Sequence, residues 1–472
     1  MKPRTIGWLL AFGLAAGAAL AYGQLAAPLG ANGVARAWVF AALGGGGILM
    51  VLLAPGERRG VALACVWVPA VVLRALLLPA APSDDVNRYL WEGRLVAEGE
   101  SPYARTADAP ELADFRDRYW EGMNHRDKAT AYPPLAELLF AAVGWIAYSP
   151  MAFKLVFAAA DLLALGGVVA LLRRRGLATA FAGLYAFNPV VLVAFAGEGH
   201  FDALMVAALV WAVVAHERAR GVPAFALACA AVAIKWVALP LLPFFLSTRR
   251  FVAMAAGAGV FVLPSLVFLP SLPELLAGVV AFGAERSFNG PIYEWLHLGL
   301  GWARPVVVPL MAGLLGVVVL WRWRLRREAP ADAHARWILG ALLLCAPTVH
   351  FWYLAWVLPL VCLRPSLPWL GFALSGGVYF LVWDNAAAGA GWGLEAWQKA
   401  LFWGPFALFA VYEIWSTRGR VLFPRLRRAS DVHTVSVVIP ALNVARPLRR
   451  ALVSLIRQTY PPDEIIVADG GS

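Results

Sequence analysis

Charged residues are scarce in this sequence. Asp, Glu, Lys and Arg make up 15% of its 472 residues, and hydrophobic residues make up 61%. Soluble domains carry about 25% charged residues. Apolar runs of about 20 residues, enough for a helix to cross a bilayer, recur along most of the chain. These features exclude an ordinary soluble protein and predict an all-α polytopic membrane protein with roughly eleven to fourteen membrane segments.

Cysteine is also rare. The four cysteines all lie inside apolar runs, and none shows the spacing of metal ligands: Cys65, Cys229, Cys345 and Cys362. The sequence therefore indicates neither a disulfide framework nor a zinc site.

An excess of positive charge is present, with 40 Lys and Arg against 29 Asp and Glu. These residues do not form the long basic surface that a nucleic-acid partner would require, because they occur in short clusters between apolar runs, such as 173–176 and 321–327. Clusters of this kind are typical of cytoplasmic loops. The pattern predicts that the bilayer is the partner, that nucleic acid is not, and that both termini are cytoplasmic.

The segment 81–132 has the opposite charge balance. It contains eleven carboxylates and seven basic residues, a net charge of 7 − 11 = −4, whereas the whole chain has +11. An acidic loop on a basic protein is expected on the outer face of the membrane. The segment 133–148 that follows is too short to cross, and we expect it to lie along the outer surface. At 222–246 we expect two half-helices, with "IKWVALP" near the turn.

The predicted outer loop begins with "PSDDVNRYLWEGR" (82–94), a stretch rich in polar residues next to apolar helices. A carboxylate held at the mouth of a helix bundle can act as a general base on a hydroxyl. We predict that Asp85 or Asp84 has this role; spacing alone does not choose between neighbours, and a solvated loop with ordinary charges is the alternative. Arg88, Glu92 and Arg94 follow as candidates for substrate binding.

Further polar residues fall on the same face by this topology. The candidate binding residues are His125, Glu198, His200, Asp202, Lys235 and His350. Structural alternatives stay open for three of them: Asp202 as a helix cap, Lys235 as a snorkelling lysine and His350 as a packed interfacial histidine. Together they suggest a cavity in which cations hold a lipid-linked phosphate and a carboxylate activates an acceptor hydroxyl. A transporter or flippase of lipid-linked glycans, or a membrane anchor, are the alternative functions.

The ordered motifs carry a family resemblance. "SDDVNRYLWEGRLVAEGESPY", "NHRDKATAYPPLAELLF", "FNPVVLVAFAGEGHFDALMV", "AIKWVALPLLPFFL", "RSFNGPIYEW" and "PTVHFWYLAWVLPL" resemble a bacterial branch of the GT-C membrane glycosyltransferases, similar to polyprenol-phosphate-mannose-dependent mannosyltransferases. The resemblance implies inverting transfer of a hexose, mannose above all, from a polyprenyl-phosphate donor to a lipid or glycan acceptor. It places the chain in the bacterial plasma (inner) membrane, with the catalytic aspartate in the first large outer loop. No cofactor is assigned, and a requirement for a divalent metal stays open.

The end of the chain has a different pattern. "TVSVVIPALN", "RPLRRALVSLIRQT" and "EIIVADGGS" predict the β-α-β opening of an α/β domain. This opening resembles that of family 2 nucleotide-sugar transferases of the GT-A fold, which implies a nucleotide-binding role for Asp469. We therefore expect a membrane transferase domain at 1–416, a basic cytoplasmic linker at 417–433 and an incomplete family 2 domain at 434–472. Either a longer bifunctional protein or a truncated gene model would account for this tail.

Overall fold

The structure is a computed structural model in which helices dominate. It describes residues 3–25, 32–55, 59–246, 249–285, 287–326, 328–415, 436–441, 445–456, 462 and 464–469. The predicted basic linker 417–433 lies outside the described residues.

Eleven α-helices form between residues 3 and 234. They are α1 (Pro3–Leu25), α2 (Gly33–Leu52), α3 (Arg59–Leu77), α4 (Asp85–Ala97), α5 (Arg118–Glu121), α6 (Pro134–Ile146), α7 (Pro150–Arg174), α8 (Gly183–Ala186), α9 (Pro189–Leu192), α10 (Asp202–Glu217) and α11 (Gly221–Ile234). Short 3-10 turns at Pro110–Phe115 and Thr179–Ala182 and a π-turn at Val193–Gly197 connect them.

Nine further α-helices complete the described bundle. They are α12 (Arg250–Leu266), α13 (Ala277–Glu285), α14 (Pro291–Glu294), α15 (Arg304–Leu325), α16 (Ala331–Cys345), α17 (Leu358–Val361), α18 (Leu367–Ser375), α19 (Leu381–Ala387) and α20 (Ala396–Trp415). Segments of 3-10 helix at Trp236–Phe245, Leu269–Ser271, Phe351–Trp356 and Gly376–Phe380 and a π-turn at Trp295–Gly299 interrupt them.

The fold class predicted from the sequence is confirmed, but long spans are fewer than expected. Among the described residues, five helices are long and apolar enough to cross a membrane, and a bent pair at 179–197 would make six. Four more apolar helices have 10–17 residues. The apolar runs were counted in the sequence without regard to helix breaks, and prolines and polar motifs divide several of them into shorter pieces.

A buried ion pair fastens the interior of the bundle. Arg74 of α3 donates from Nε to Oδ2 of Asp161 in α7 at 2.5 Å, and its Nη1 donates to the carbonyl of Ala186 at 3.0 Å. Both charged side chains are almost fully buried. A charge in a membrane interior is tolerated when a partner satisfies it, so the pair accounts for the two charges inside these helices.

The segment 81–132 is folded, and its helix α4 packs closely on α6. Where the two helices meet, a Cβ on Gly93 would come within 2.6 Å of the backbone carbonyl carbon of Phe140. Glycine at this position therefore permits the close approach of α4 to α6. With 13 residues α6 is about 20 Å long, short of the ~30 Å hydrocarbon layer. This length agrees with the prediction that the segment does not cross.

The predicted break near residue 235 is confirmed. α11 ends at Ile234, Lys235 is extended with φ −150° and ψ 122°, and a 3-10 helix containing Pro240 and Pro243 follows. The break brings the lysine to the end of a helix.

Three helices connect two polar ends of the bundle. At one end Arg175, directly after α7, pairs with Glu217 at the end of α10 and with Asp332 at the start of α16. The opposite ends of α7 and α10 carry Lys154 and Asp202. With 16 residues α10 spans about 24 Å, so the two polar ends are separated by most of a bilayer's hydrocarbon thickness.

The tail adopts the predicted β-α-β arrangement. It consists of β1 (Ser436–Ala441), α21 (Ala445–Ile456) and β2 (Glu464–Asp469), and the two strands pair in parallel. A parallel β-α-β unit of this kind opens many α/β domains.

Candidate active site

Two adjacent carboxylates stand where α4 begins. Asp84 is the N-cap residue and Asp85 lies in the first helical turn, where the helix dipole favours negative charge. The side-chain amide of Asn124 donates to both, at 3.1 Å to Oδ2 of Asp84 and 2.9 Å to Oδ1 of Asp85. A single amide therefore fixes the two carboxylates relative to each other. Oδ2 of Asp85 forms no hydrogen bond within the part of the chain that the structure describes.

The two aspartates differ in their surroundings. Burial, and next the neighbouring charge of Asp85, raise the pKa of Asp84 to about 6, although hydrogen bonds from Asn124 and Ser83 oppose the shift. Asp84 therefore takes up a proton as the pH falls through about 6. Asp85 keeps a side chain that is 20% exposed, with one oxygen held and the other open.

The turn "GEGHFD" reaches the aspartates from the other side. Oε1 of Glu198 accepts from the hydroxyl of Tyr22 at 3.1 Å, and its Oε2 lies 3.3 Å from Nε2 of His200. Nδ1 of the fully buried His200 lies 3.6 Å from Oδ2 of Asp85. The backbone N–H of Ser83 donates to the carbonyl of Glu198 at 2.8 Å. The two sequence motifs thus form one site.

Gly199 lets this turn fit between its neighbours. Its φ is +80°, a conformation that other residues rarely adopt, and a Cβ would lie 2.9 Å from Cγ of Lys154 and 3.1 Å from Cγ2 of Val86. Lys154 itself donates to two carbonyls at the end of α3, at 2.6 Å each. Both residues support the site without entering it.

Four rings stack in a column that begins at His200, beside Asp85, and ends at Phe288. The ring centroids of His200 and Trp352 are 3.8 Å apart, those of Trp352 and His350 are 4.3 Å apart, and those of His350 and Phe288 are 5.4 Å apart. Nδ1 of His350 lies 2.9 Å from the hydroxyl of Tyr379. The column places two imidazoles on opposite faces of a single indole.

Lys235 forms the next polar group. Its Nζ donates to Oδ1 of Asp202 at 2.6 Å, and the indole N–H of Trp356 donates to the same oxygen at 2.6 Å. The ammonium also lies 4.8 Å from the ring centroids of Phe201 and Tyr353, within the range of cation–π attraction. Asp202 thus holds the lysine against aromatic faces beside the turn.

Arg88 supports the loop beneath the aspartates. It donates to Oε1 of Glu92 at 2.7 Å and to the carbonyls of Asn124 and His125 at 2.7 and 2.6 Å. His125 has a φ of +50°, and its side chain is exposed. Arg88 is buried, and its guanidinium already donates to three acceptors. We therefore interpret Arg88 as a residue that positions Asn124.

Glu92 lies deeper in the same helix beside another carboxyl group. Glu137 of α6 accepts from the hydroxyl of Thr130 at 2.7 Å and is fully buried. Burial, and next the charge of Glu92, raise the pKa of Glu137 well above its ordinary value. Burial also raises the pKa of Glu92, and Arg88 opposes that shift. Of the two carboxyl groups, Glu137 therefore holds a proton more readily than Glu92, which Arg88 contacts directly.

Arg94 lies apart from this cluster. It donates to Glu98 at 2.7 Å, lies 3.5 Å from Asp117, and its side chain is 33% exposed. Nine residues separate it from Asp85, which places the two on opposite faces of α4. No hydrogen bond or ion pair joins Arg94 to Asp84 or Asp85 among the described residues, so its role in substrate binding stays a prediction.

Asp469 lies in the tail. It is the last residue of β2, and its backbone is in register with Ala441. Its proposed nucleotide contact stays a prediction.

Sequence reasoning missed the partners that complete the site. Tyr22 and Glu137 belong to no motif that marks them as site residues, and Asn124 and Trp352 are only sequence neighbours of the candidate histidines His125 and His350. No grouping of three or more His, Cys, Asp or Glu side chains suited to a metal ion is found among the residues that the structure describes.

Carboxylates and basic side chains thus converge at one end of an apolar helical bundle, an arrangement that marks a candidate functional site in a membrane protein. Residues 5–249, slightly more than half of the chain, match the family model described as alpha-(1→6)-mannopyranosyltransferase, N-terminal domain. The chain belongs to this family and is a membrane glycosyltransferase. Residues 436–472 match glycosyl transferase family 2. No curated protein matches the chain significantly. The family-level resemblance is confirmed, and the transporter and anchor alternatives are set aside.

Proposed function

We propose that the chain transfers mannose, with inversion, from a polyprenyl-phosphate donor to an acceptor hydroxyl on the outer face of the bacterial plasma membrane. The observation that carries this proposal is the open Oδ2 of Asp85, in a carboxylate pair held by Asn124 and faced by His200. The family name specifies an α-(1→6) product, so an inverting enzyme would use a β-linked donor and the O6 hydroxyl of a mannose acceptor.

Asp85 acts as the general base in this mechanism. Its Oδ2 takes the proton from the acceptor hydroxyl while that oxygen forms a bond to the anomeric carbon. The bond between the anomeric carbon and the phosphate oxygen breaks, and its electron pair leaves with polyprenyl phosphate. Proton removal by a positioned carboxylate is an ordinary form of general-base catalysis.

Three side chains next to the aspartates are placed to receive the leaving phosphate. Lys235, His350 and His200 lie around the aromatic surface next to the aspartates. Preorganised donors of this kind act where negative charge develops. Arg88 and Glu92 position Asn124 and the loop, and Glu198 orients His200 through its contact with Nε2.

The donor preference tests this proposal directly. Purified full-length protein should consume polyprenyl-phosphate mannose and leave GDP-mannose intact when a mannoside acceptor is supplied, as measured by product formation. Polyprenyl-phosphate glucose, which differs only at C2, is the matched control and should react more slowly. Exclusive use of GDP-mannose would contradict the lipid-linked donor.

The orientation in the membrane gives a second prediction. Ala104 in the outer loop and Ala219 at the opposite polar end are both exposed. In intact cells a membrane-impermeant thiol reagent should label Ala104→Cys and spare Ala219→Cys, because the positive-inside rule places the arginine-rich end in the cytoplasm. Permeabilised cells should show labelling of both. The reverse pattern would contradict an outward-facing site.

The pH dependence gives a third prediction. kcat/KM should be flat above about pH 7 and fall as the pH drops through about 6, since protonation of Asp84 weakens Asp85 as a base. The Asp84→Asn enzyme should be slower at neutral pH and should lose this acid limb near pH 6. An unchanged limb in that variant would assign it to another group.

A further inference from the structure

A cluster of arginines occupies the polar end of the bundle opposite the aspartates. We call it the arginine cluster: Arg322 near the end of α15, Arg336 in α16 and Arg364 just after α17. Arg322 is only 5% exposed, and its Nε donates to Nδ1 of His334 at 3.3 Å. The charges of Arg326, Arg336 and Arg364 all act against that of Arg322. Like charges are thus brought together around the buried Arg322, whereas the side chain of Arg364 is 38% exposed at the edge of the bundle.

Two N–H groups of the arginine cluster lack acceptors among the residues that the structure describes. Nε of Arg336 and Nε of Arg364 are buried and form no hydrogen bond with any described residue. Arg364 has only a 3.7 Å approach to Asp332, which is too long for a hydrogen bond. An unsatisfied buried guanidinium is costly, so buried cations normally have a partner.

Nearby carboxylates already serve other groups. Asp332 accepts from Nη1 and Nη2 of Arg175 at 3.1 and 2.6 Å. Glu413 accepts from the backbone N–H of Leu367 at 2.6 Å and so caps α18. The positive charge of the arginine cluster therefore exceeds the negative charge that the surrounding side chains offer it.

The position of the cluster indicates the medium it faces. The rings of Trp321 and Trp337 meet edge to face at 5.6 Å, and Trp337 is 48% exposed. Tryptophans at helix ends mark the level of lipid headgroups. The planar guanidinium fork matches phosphate oxygens in pairs.

We propose that the arginine cluster binds a phosphate group at the membrane surface, as the phosphodiester of an anionic lipid headgroup or as free phosphate. The tryptophans favour the lipid source. The site lies at the opposite end of the helices from the aspartates, so it is independent of the proposed transfer reaction.

Thermal unfolding of the purified full chain in a neutral detergent tests this site, because a ligand that binds the native state raises Tm. The probes are phosphatidylglycerol, phosphatidylcholine and inorganic phosphate, each titrated separately. Phosphatidylglycerol should raise Tm saturably, and phosphatidylcholine should not. A matching response to inorganic phosphate alone would identify free phosphate as the source.

Variants separate a binding role from a structural one. Arg336→Gln with Arg364→Gln should weaken the apparent affinity for phosphatidylglycerol by about tenfold or more, as expected for lost hydrogen bonds between charged partners. The control is Arg324→Gln. Arg324 lies on α15, as Arg322 does, but it is exposed and lies over the ring of Trp323. This substitution should leave the affinity for phosphatidylglycerol unchanged.

Without anionic lipid, the double variant should unfold at the same temperature as the wild type or higher, because uncompensated positive charge has been removed. A lower Tm in that condition, or equal responses of wild type and double variant to phosphatidylglycerol, would overturn the proposal.

Discussion

Replacing Asp85 by Asn should lower kcat by about 10²–10⁴-fold, the usual effect of losing a general base. The amide has nearly the same shape and still reaches Asn124, but it cannot take a proton from the acceptor hydroxyl. The measurement is turnover of lipid-linked donor with saturating acceptor, and Tm should stay close to that of the wild type.

A matched control is available directly after the same helix. The side chain of Glu98 is 48% exposed and pairs with Arg94, so Glu98→Gln removes a carboxylate without touching the site and should leave kcat unchanged. If Asp85→Asn and Asp84→Asn both turn over at the normal rate, neither is the base. Glu198, the carboxylate on the other side of His200, would then be the next candidate.

Replacing Lys235 by Met should lower kcat by about 10²–10³-fold, the effect expected when one preorganised electrostatic contact to a developing charge is lost. Met keeps much of the apolar stem against Tyr353 and Trp356 but removes the ammonium group. The reduction should appear in single-turnover chemistry, since the leaving phosphate gains charge in that step.

A double variant distinguishes this role from simple pairing with Asp202. Lys235→Met alone leaves a buried carboxylate without its cation, which could lower activity by disturbing the fold. In Lys235→Met with Asp202→Asn that unpaired charge is gone. If the double variant regains most of the wild-type turnover, Lys235 is only a structural partner; continued loss supports a direct action on the phosphate.

The sequence was most informative where local rules decide the structure. The break at Lys235 followed from flanking basic clusters and prolines, and the β-α-β tail followed from a change of period. The segment 81–132 stands out by its charge balance, and its location on the outer face stays a prediction. Each of these depends on a short stretch of neighbouring residues.

The rest of the site depends on contacts between residues that are distant in the sequence. Tyr22 reaches Glu198 from α1, and Trp352 stacks between His200 and His350, which are far apart in the sequence. No periodicity encodes such a meeting. The position of Arg94, by contrast, could have been derived from the sequence once α4 was taken as a helix, since nine residues place it opposite Asp85.

The shared clamp on the aspartates makes the site vulnerable to chemical ageing. Asn124 holds both carboxylates through one amide nitrogen. Loss of ammonia from that side chain would convert a donor of two hydrogen bonds into a third carboxylate, which can only accept them when ionised. Three negative groups would then face one another where two had been held together. Hydrolysis of this single amide would therefore disturb the arrangement of the carboxylate pair.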